Sequence, residues 1–567
     1  MQSPATLRIA WPGEAEPEEP PVRDWGFFFV VFSPQRLGRV SLSAGVSRTV
    51  AIGAAIAVGA TLVYTVLGAI VRPAMYSDAG WGFLGWYDSR DLPFNTVLSV
   101  DRTDIARDVA SFATWWTPGQ HLLPGLLERA GLELGQALIA VTALFSLLGL
   151  AGWYALYRSF GFPAATCALA VAAVALSRHF ALPFGIYTGG EVLLFGTAPW
   201  FLTVLWRLRG FAWSAVPLLL VGATAMVFAK LSGLLIAASA IAAAVMAPPG
   251  LWYSRDRIRR GLVAGLTLGL IGTLFYVAWF SRGTTPVAAQ VPIAWSSLPG
   301  LVAYVTAAAW GGALSIGDLA MYLLAHPARP RLDALAVYAL LLPLAIATFA
   351  FVGWQLRRDY PEYLRFVLFL GLGVGLVIVA ASTRGATLGT EERHLRIVSL
   401  VLFVGIVQAF LGAASAWPRR LLAATVAGAS LYGVASAAQH AAVNAAHPLG
   451  NRGFRHLIAD QAVLDALHAI DTTAPDRAST LVLVPSPEIG LELRRVRVTG
   501  IHVDFETPAQ LERRRYRGQV PRLHVVLQRH LVDNGKAPRV LRIFVDTPAE
   551  AWQATPHGSF VVYSAVR

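Results

Sequence analysis

The sequence predicts an α-helical polytopic membrane protein of about eleven transmembrane helices, followed by a C-terminal soluble α/β domain. Three observations carry this expectation. The chain is 56% hydrophobic and only 14% charged, with a mean hydropathy of +0.56, whereas soluble globules carry about 25% charged residues. Its apolar residues gather into blocks of about 17–24, each long enough to cross a hydrocarbon core of about 30 Å as a helix. Helices satisfy their own backbone in lipid, so these blocks read as helices and not as strands. After about His440 the blocks give way to short β-rich runs separated by helical stretches.

The blocks fall at 49–71, 135–156, 164–182, 192–206, 212–228, 231–247, 261–280, 334–352, 364–381, 397–413 and 421–437. Their basic flanks alternate. Arg36, Arg39 and Arg48 precede the first block, and Arg158 follows the second. Arg207 and Arg209 follow the fourth; Arg255, Arg257, Arg259 and Arg260 follow the sixth. Arg357 and Arg358 follow the eighth, and Arg419 and Arg420 the tenth. All of these share one side if the N-terminus is cytoplasmic, as the positive-inside rule requires. An odd number of spans then places the C-terminal domain outside, in a bacterial-type inner membrane. The net charge of +13 is thus a topology signal, and no nucleic-acid partner is expected.

Residues 1–45 read as a cytoplasmic, partly disordered arm. It is rich in Pro and Glu (Glu14, Glu16, Glu18, Glu19) and offers no cleavable signal peptide. The apolar run 27–32 is too short to span and suits the interface. Residues 46–439 form the transmembrane module, with two long outer loops at 72–134 and 281–333. Residues 301–324 are apolar enough to suggest another span, but counting it would put Arg357 and Arg358 outside; they read as one or two helices at the outer face or re-entering. In the first loop Ile105, Val109, Phe112 and Trp116 recur at helical spacing, with Asp101, Asp104 and Asp108 off the stripe, predicting an amphipathic helix. The single cysteine, Cys167, lies within a span and forms no intramolecular disulfide.

The domain at 440–567 shows β runs at 481–484, 496–503, 523–527 and 560–566, with helical stretches at 454–470, 508–516 and 548–554, predicting a small, mostly parallel α/β layer. It holds no Gly-rich nucleotide motif. Its arginines, Arg494, Arg495, Arg497, Arg513, Arg514, Arg515 and Arg517, form either a solvated face or a contact for anionic headgroups or glycan.

Chemistry is expected at the outer membrane surface. The spans are almost free of Asp and Glu, which argues against a proton-coupled carrier. Charges collect instead at outer span ends: Asp78 after the first, Glu191 before the fourth, Lys230 between the fifth and sixth, and Arg384, Glu391, Glu392, Arg393, His394 and Arg396 between the ninth and tenth. Such a set suits sugar transfer from a lipid-linked donor. A carboxylate deprotonates the acceptor hydroxyl, and Arg, Lys or His neutralises the leaving phosphate.

The stretches Tyr76-Ser77-Asp78, Trp115-Trp116-Thr117-Pro118-Gly119 and Glu391-Glu392-Arg393-His394-Leu395-Arg396, set in this architecture, resemble the GT-C superfamily. That superfamily comprises integral-membrane glycosyltransferases using polyprenyl-phosphate sugars, among them protein O-mannosyltransferases and lipid A aminoarabinose transferases. The resemblance implies a polyprenyl-phosphate sugar donor, a glycan, lipid or protein acceptor, and an acid of the first loop, Asp78, as catalytic base or metal ligand. Many members carry an acidic doublet there, whereas Ala79 follows Asp78 in this chain. No cofactor is expected, a divalent metal being the one the resemblance leaves open.

Arg393, His394, Arg396, Lys230 and Arg384 are the candidates for donor phosphate, each alternatively a residue snorkelling to headgroups. Glu191, His121 and Asp88 are secondary candidates. Their plainer roles are an ion pair with a nearby Arg for Glu191, a cap or loop residue for His121, and a structural acid for Asp88 and its neighbour Asp91. Two rival functions, a lipid or glycan flippase or transporter and a non-catalytic envelope scaffold, predict a continuous polar path and a closed apolar bundle respectively. The enzyme requires Asp78 and Arg393 to meet in one outward cavity.

Overall fold

The computed structural model describes residues 44–88, 95–114, 116–250, 253–283, 297–325, 332–383, 389–501, 503 and 508–567. The chain divides into two compact units, Met1–Ser47 and Arg48–Arg567, and the second carries every contact described below. Most of the N-terminal arm with its 27–32 run, Arg36 and Arg39, together with Asp91, Trp115, Arg384 and parts of the 281–333 loop, lies outside the described residues. So does the side chain of Asp88.

In chain order, helix α1 (Ala44–Val71) leads into β1 (Ala74–Met75) and α2 (Ser77–Asp88), then β2 (Thr96–Val100) and β3 (Asp108–Phe112). There follow α3 (Gly119–Arg129), α4 (Leu134–Ser159), α5 (Ala164–Ala175), α6 (Arg178–Gly185), β4 (Ile186–Tyr187) and α7 (Gly190–Arg207). Next come α8 (Ala215–Ala229), α9 (Ser232–Met246), α10 (Arg255–Ala278), α11 (Leu298–Gly311) and α12 (Ile316–Leu324). The helical part closes with α13 (Ala334–Leu356), α14 (Pro361–Thr383), α15 (Arg396–Leu411) and α16 (Ala416–Ala446).

Local sequence sets the helix starts. The Asp333 carboxylate accepts from Ala336 N at 2.7 Å to open α13, the Ser254 hydroxyl accepts from Arg257 N at α10, and Glu133 and Gln136 form a reciprocal capping box at α4. Packing between α4 and α7 is close because small residues face rings. A Cβ on Gly149 would lie 2.3 Å from the Phe195 ring, and one on Gly196 2.6 Å from that of Phe145, the small-residue contact typical of helices in lipid. Around them Trp153, Tyr157, Phe162, Tyr363 and Phe366 are fully buried, with Phe160 and Trp206 edge to face at 4.8 Å.

Among the described residues, six helices are long and apolar enough to cross a membrane: Arg48–Val71, Leu134–Ser159, Arg255–Arg282, Ala334–Leu356, Pro361–Thr383 and Ala416–Ala446. The pair α5 and α6, bent by 42° at its break, is a seventh if counted as one span. The protein is therefore a multi-pass membrane protein. Every apolar block of the sequence is helical, but α8, α9 and α15 have 15, 15 and 16 residues. At 1.5 Å per residue such helices fall short of a core of about 30 Å. Large apolar side chains such as Ile70, Leu431 and Leu376 are exposed on these helices. Residues 301–324 form two helices, α11 and α12, with a left-handed Ser315 (φ 57°) between them.

The amphipathic helix expected around 101–116 is corrected by the structure: residues 96–112 form a β-hairpin, β2 paired antiparallel with β3 from Thr96↔Phe112 to Val100↔Asp108. The Asp101 carboxylate accepts from Thr103 N at 2.8 Å and from its hydroxyl at 2.7 Å, a local turn that competes with helix. Val97, Val100 and Val109 favour the extended strand. The expected hydrophobic stripe therefore has a different destination. Ile105, at the hairpin tip, is fully buried in the core of the C-terminal segment together with Val100.

That segment continues with α17 (Gln461–Thr473), β5 (Thr480–Val484), α18 (Pro487–Gly490), β6 (Arg497–Gly500), α19 (Pro508–Arg513), β7 (Arg522–Gln528), β8 (Gln553–His557) and β9 (Phe560–Val566). The sheet order is β6-β5-β7-β9-β8. β6, β5 and β7 run parallel, whereas β9 is antiparallel to both β7 and β8, so the layer is mixed rather than mostly parallel. The helical stretch expected at 548–554 is a short turn at Ala549–Ala551 followed by β8. Gln553-Ala-Thr-Pro-His557 is an exposed edge strand, where Pro is tolerated and no apolar alternation is needed.

Arg497 fastens this sheet to the hairpin. It is nearly buried, pairs with Asp108 at 2.6 Å, and donates to the carbonyls of Ile105 (2.6 Å) and Arg107 (2.7 Å). It thus leaves the basic face read from the sequence. Arg497→Gln is expected to destabilise this unit by about 2–3 kcal/mol, the loss of a charge-assisted buried pair. Chemical denaturation of the purified chain, and proteolysis of the freed hairpin, measure it. The same segment grips α2: Pro487 lies against Gly80, and Gly500 sits beneath the Trp81 ring.

Candidate active site

Two short sequence stretches are brought together by a two-stranded parallel sheet. β1 pairs with β4 in the register Ala74↔Ile186 and Met75↔Tyr187, and Tyr76 N donates to Tyr187 O at 3.0 Å. The strands deliver Tyr76-Ser77-Asp78 and Thr188-Gly189-Gly190-Glu191 to the same place. Asp78 and Glu191 then both stand in the first turn of their helices, α2 and α7, where a carboxylate is favoured by the helix dipole. Gly189 has φ 68°, a left-handed geometry that suits glycine. A Cβ on Gly190 would meet Ala229 O at 2.6 Å, so this glycine lets the Lys230 turn approach Glu191.

The third stretch is the turn 389–396. The Tyr304 hydroxyl donates to Glu391 O at 2.8 Å, and the fully buried Glu392 accepts from Gly317 N at 2.5 Å. These anchors turn Arg393 inward. Its guanidinium lies 3.6 Å from the Asp78 carboxylate, 3.2 Å from Glu191 and 2.7 Å from Glu391, and over the Tyr76 ring at 5.3 Å. Lys230, closing α8, also pairs with Glu191. The early carboxylate and the late cations therefore do converge. Burial pushes the Glu191 carboxyl up, but the charges of Lys230 and Arg393 outweigh it and hold it down at about 2.

These side chains border a cavity of about 340 Å³. Its lining is partly charged, with Glu191, Lys230, Glu391, Arg393, Arg178, Asp318 and Arg396, and partly apolar, with Phe180, Leu182, Ile186, Val192, Phe195 and Leu400. Asp78 is half exposed and stands at its edge in contact with Arg393. Arg396 lines the cavity 3.9 Å from Asp318.

Two sequence candidates sit elsewhere. His121 is buried between the rings of Phe83 and Trp86, at 6.4 and 6.1 Å, away from the cavity. Burial takes its pKa down to about 3, so it is neutral. His394 is adjacent to the site but does not line the cavity. Burial, with Lys230 and Arg393 nearby, takes it down to about 3 as well, so it brings no positive charge to a phosphate at pH 7. Two residues were missed: Arg178, which pairs with Asp318 at 2.8 Å, and Asp318 itself; Glu392 and Tyr76 stood in the sequence reading without a role of their own. A signal existed for the first, since Arg178-His179 falls inside the apolar block 164–182, where a charge is costly unless it is used.

The acids fit a metal poorly. Asp78, Glu191 and Glu391 all turn onto the guanidinium of Arg393, and no group of three His, Cys, Asp or Glu among the described residues is placed to hold an ion.

The fold and cavity define a multi-pass membrane protein with a charged pocket where several helices begin. No protein family matches the sequence, and no curated protein matches it. Among solved structures the chain is similar to ArnT from Cupriavidus metallidurans in its apo state, at 13% identity over 90% of this chain and 98% of that one, with a TM-score of 0.48. It is similar to the oligosaccharyltransferase AglB from Archaeoglobus fulgidus, in complex with an inhibitory peptide and a dolichol-phosphate, at 12% identity over 90% of this chain and 74% of that one, with a TM-score of 0.46. It is also similar to the arabinofuranosyltransferase AftD from mycobacteria, at 12% identity over 90% of this chain and 41% of that one, with a TM-score of 0.43. All three are GT-C glycosyltransferases.

Proposed function

We propose that this protein is a membrane glycosyltransferase that moves a sugar from a polyprenyl-phosphate carrier to an acceptor at the outer face of the inner membrane. The observation that carries the reading is the contact of the half-exposed Asp78 with Arg393, 3.6 Å apart, at the edge of a cavity lined by both charged and apolar side chains. The apolar lining suits the first isoprene units and the cations suit the phosphate. Asp78 takes the proton of the acceptor hydroxyl, whose oxygen bonds to the anomeric carbon. The carbon–oxygen bond to phosphate breaks, its electrons leave with the carrier phosphate, and cations lining the cavity stabilise the charge that grows there. A closed apolar bundle, as a scaffold would have, lacks such a cavity.

The outer location is supported by helix direction. α7 starts at the cavity with Glu191 and ends at Arg207, and α15 starts there with Arg396 and runs toward Arg419 and Arg420. The arginine-bearing turns thus lie at the far ends of helices that begin at the site, as expected if those turns are cytoplasmic. The C-terminal segment, which packs on the loop that carries Asp78, then lies on the outer side as well.

The test is release of carrier phosphate when the purified chain in lipid nanodiscs is offered polyprenyl-monophosphate hexoses and pentoses. Turnover of one of them by the native chain supports the reading; none by any donor, with any glycan, lipid or peptide acceptor, removes it. Because Arg393 already supplies the positive charge among the three acids, we expect EDTA to leave the transfer rate unchanged. A rate abolished by EDTA and restored by Mg²⁺ or Mn²⁺ would show that an ion takes part.

A further inference from the structure

The four cations that line the cavity are unequal. On the outer side Lys230 and Arg393 face three carboxylates, Asp78, Glu191 and Glu391. On the inner side Arg178 and Arg396 share one, Asp318, at 2.8 and 3.9 Å from the same oxygen. The other acid beside the inner pair is Glu392. Burial, and Asp318 next to it, raise its carboxyl above the usual carboxylate range, and the ion pairs of both arginines go to Asp318. The outer set therefore carries a surplus negative charge and the inner set a surplus positive one, in a setting where an uncompensated charge is costly.

Further features of the inner side lack a partner. The Nε of Arg396 and the Nε2 of His179 are buried without a hydrogen bond among the described residues, and both residues line the cavity. The Ser177 hydroxyl donates to Val174 O at 2.7 Å and so accepts from His179 Nδ1 at 2.8 Å, which leaves the Nε2 of a neutral ring as an acceptor, so the arginines alone are left to bind an anion. Arg178 and Arg396 are the first residues of α6 and α15, so the positive ends of two helices add to the same field.

We propose that the anionic head of the carrier lipid, a phosphate monoester, seats on Arg178 and Arg396, with Arg393 and Lys230 serving instead to hold the three outer acids. This rests on reading the cavity as the donor site. Asp318 then acts as a stand-in anion that shares the arginines with the phosphate.

The experiment titrates the full chain in nanodiscs with a short-chain polyprenyl monophosphate, the corresponding alcohol and inorganic phosphate. For the native chain the lipid phosphate is expected to bind more tightly than either comparator. Arg178→Gln is expected to weaken it by about tenfold, roughly one charge-assisted contact, without changing affinity for the alcohol. Asp318→Asn keeps both arginines and removes their competitor, so it is expected to tighten lipid-phosphate binding severalfold, a gain that misfolding does not produce. If R178Q does not fold, the sign of the D318N change decides, and no change or a loss overturns the proposal. Weakening by R393Q and K230Q but not by R178Q moves the seat outward and leaves the transferase reading intact. Equal binding of phosphate lipid and alcohol to the native chain removes the donor site altogether. Inorganic phosphate competing as well as the lipid makes it a free-anion site and overturns the carrier assignment.

Discussion

Replacing Arg393 by Gln is expected to lower sugar transfer by about 10²–10³-fold, the range seen when one preorganised charge-stabilising donor is removed. No other described side chain contacts Asp78, Glu191 and Glu391 together, so its loss leaves three carboxylates repelling one another beside the reacting atoms. Lysine should not rescue it. A compact ammonium cannot span three carboxylates with the fixed fork of a guanidinium. Initial rates of carrier-phosphate release by native, R393Q and R393K chains in nanodiscs check this, with thermal unfolding of each as the control for folding. A rate for R393Q close to native would remove Arg393 from the chemistry.

Asp78→Asn is expected to reduce transfer by about 10²–10⁴-fold, the usual contribution of a positioned general base, with carrier-lipid affinity preserved. The substitution is nearly isosteric and the side chain is half exposed, so the fold should tolerate it. What it removes is the ability to accept the acceptor's proton. Rate and affinity measured on the same preparation separate this from a structural effect. Loss of both together would mean that Asp78 shapes the pocket rather than working within it.

Much of this site was legible because charge at a membrane surface is expensive. Asp78, Glu191, Lys230 and Arg393 stand out in a chain whose apolar blocks are otherwise nearly free of acids, and all four converge. The inner arginine was hidden by its surroundings. Arg178 lies in a block that reads as one continuous span, and the 42° bend between α5 and α6 that brings it to the cavity leaves no mark in apolar periodicity. Asp318 was obscured in the same way within 301–324. The hairpin failed for a different reason. Ile105, Val109, Phe112 and Trp116 satisfy a helical period, but the Asp101 turn and the receiving core of the C-terminal segment decide the outcome, and that core is remote in sequence. Tertiary context overrode local pattern there, as it commonly does for short segments.

The most direct measurement is an experimental structure of the chain in lipid with a polyprenyl-phosphate bound, reading the position of the phosphorus atom. We expect it inside the cavity, its oxygens within ion-pair distance, about 4 Å, of a lining arginine, and the Asp78 carboxylate facing the open side. A phosphate found on the outer wall of the helices, with Asp78 and Arg393 still locked to each other and the cavity empty of lipid, would contradict the account.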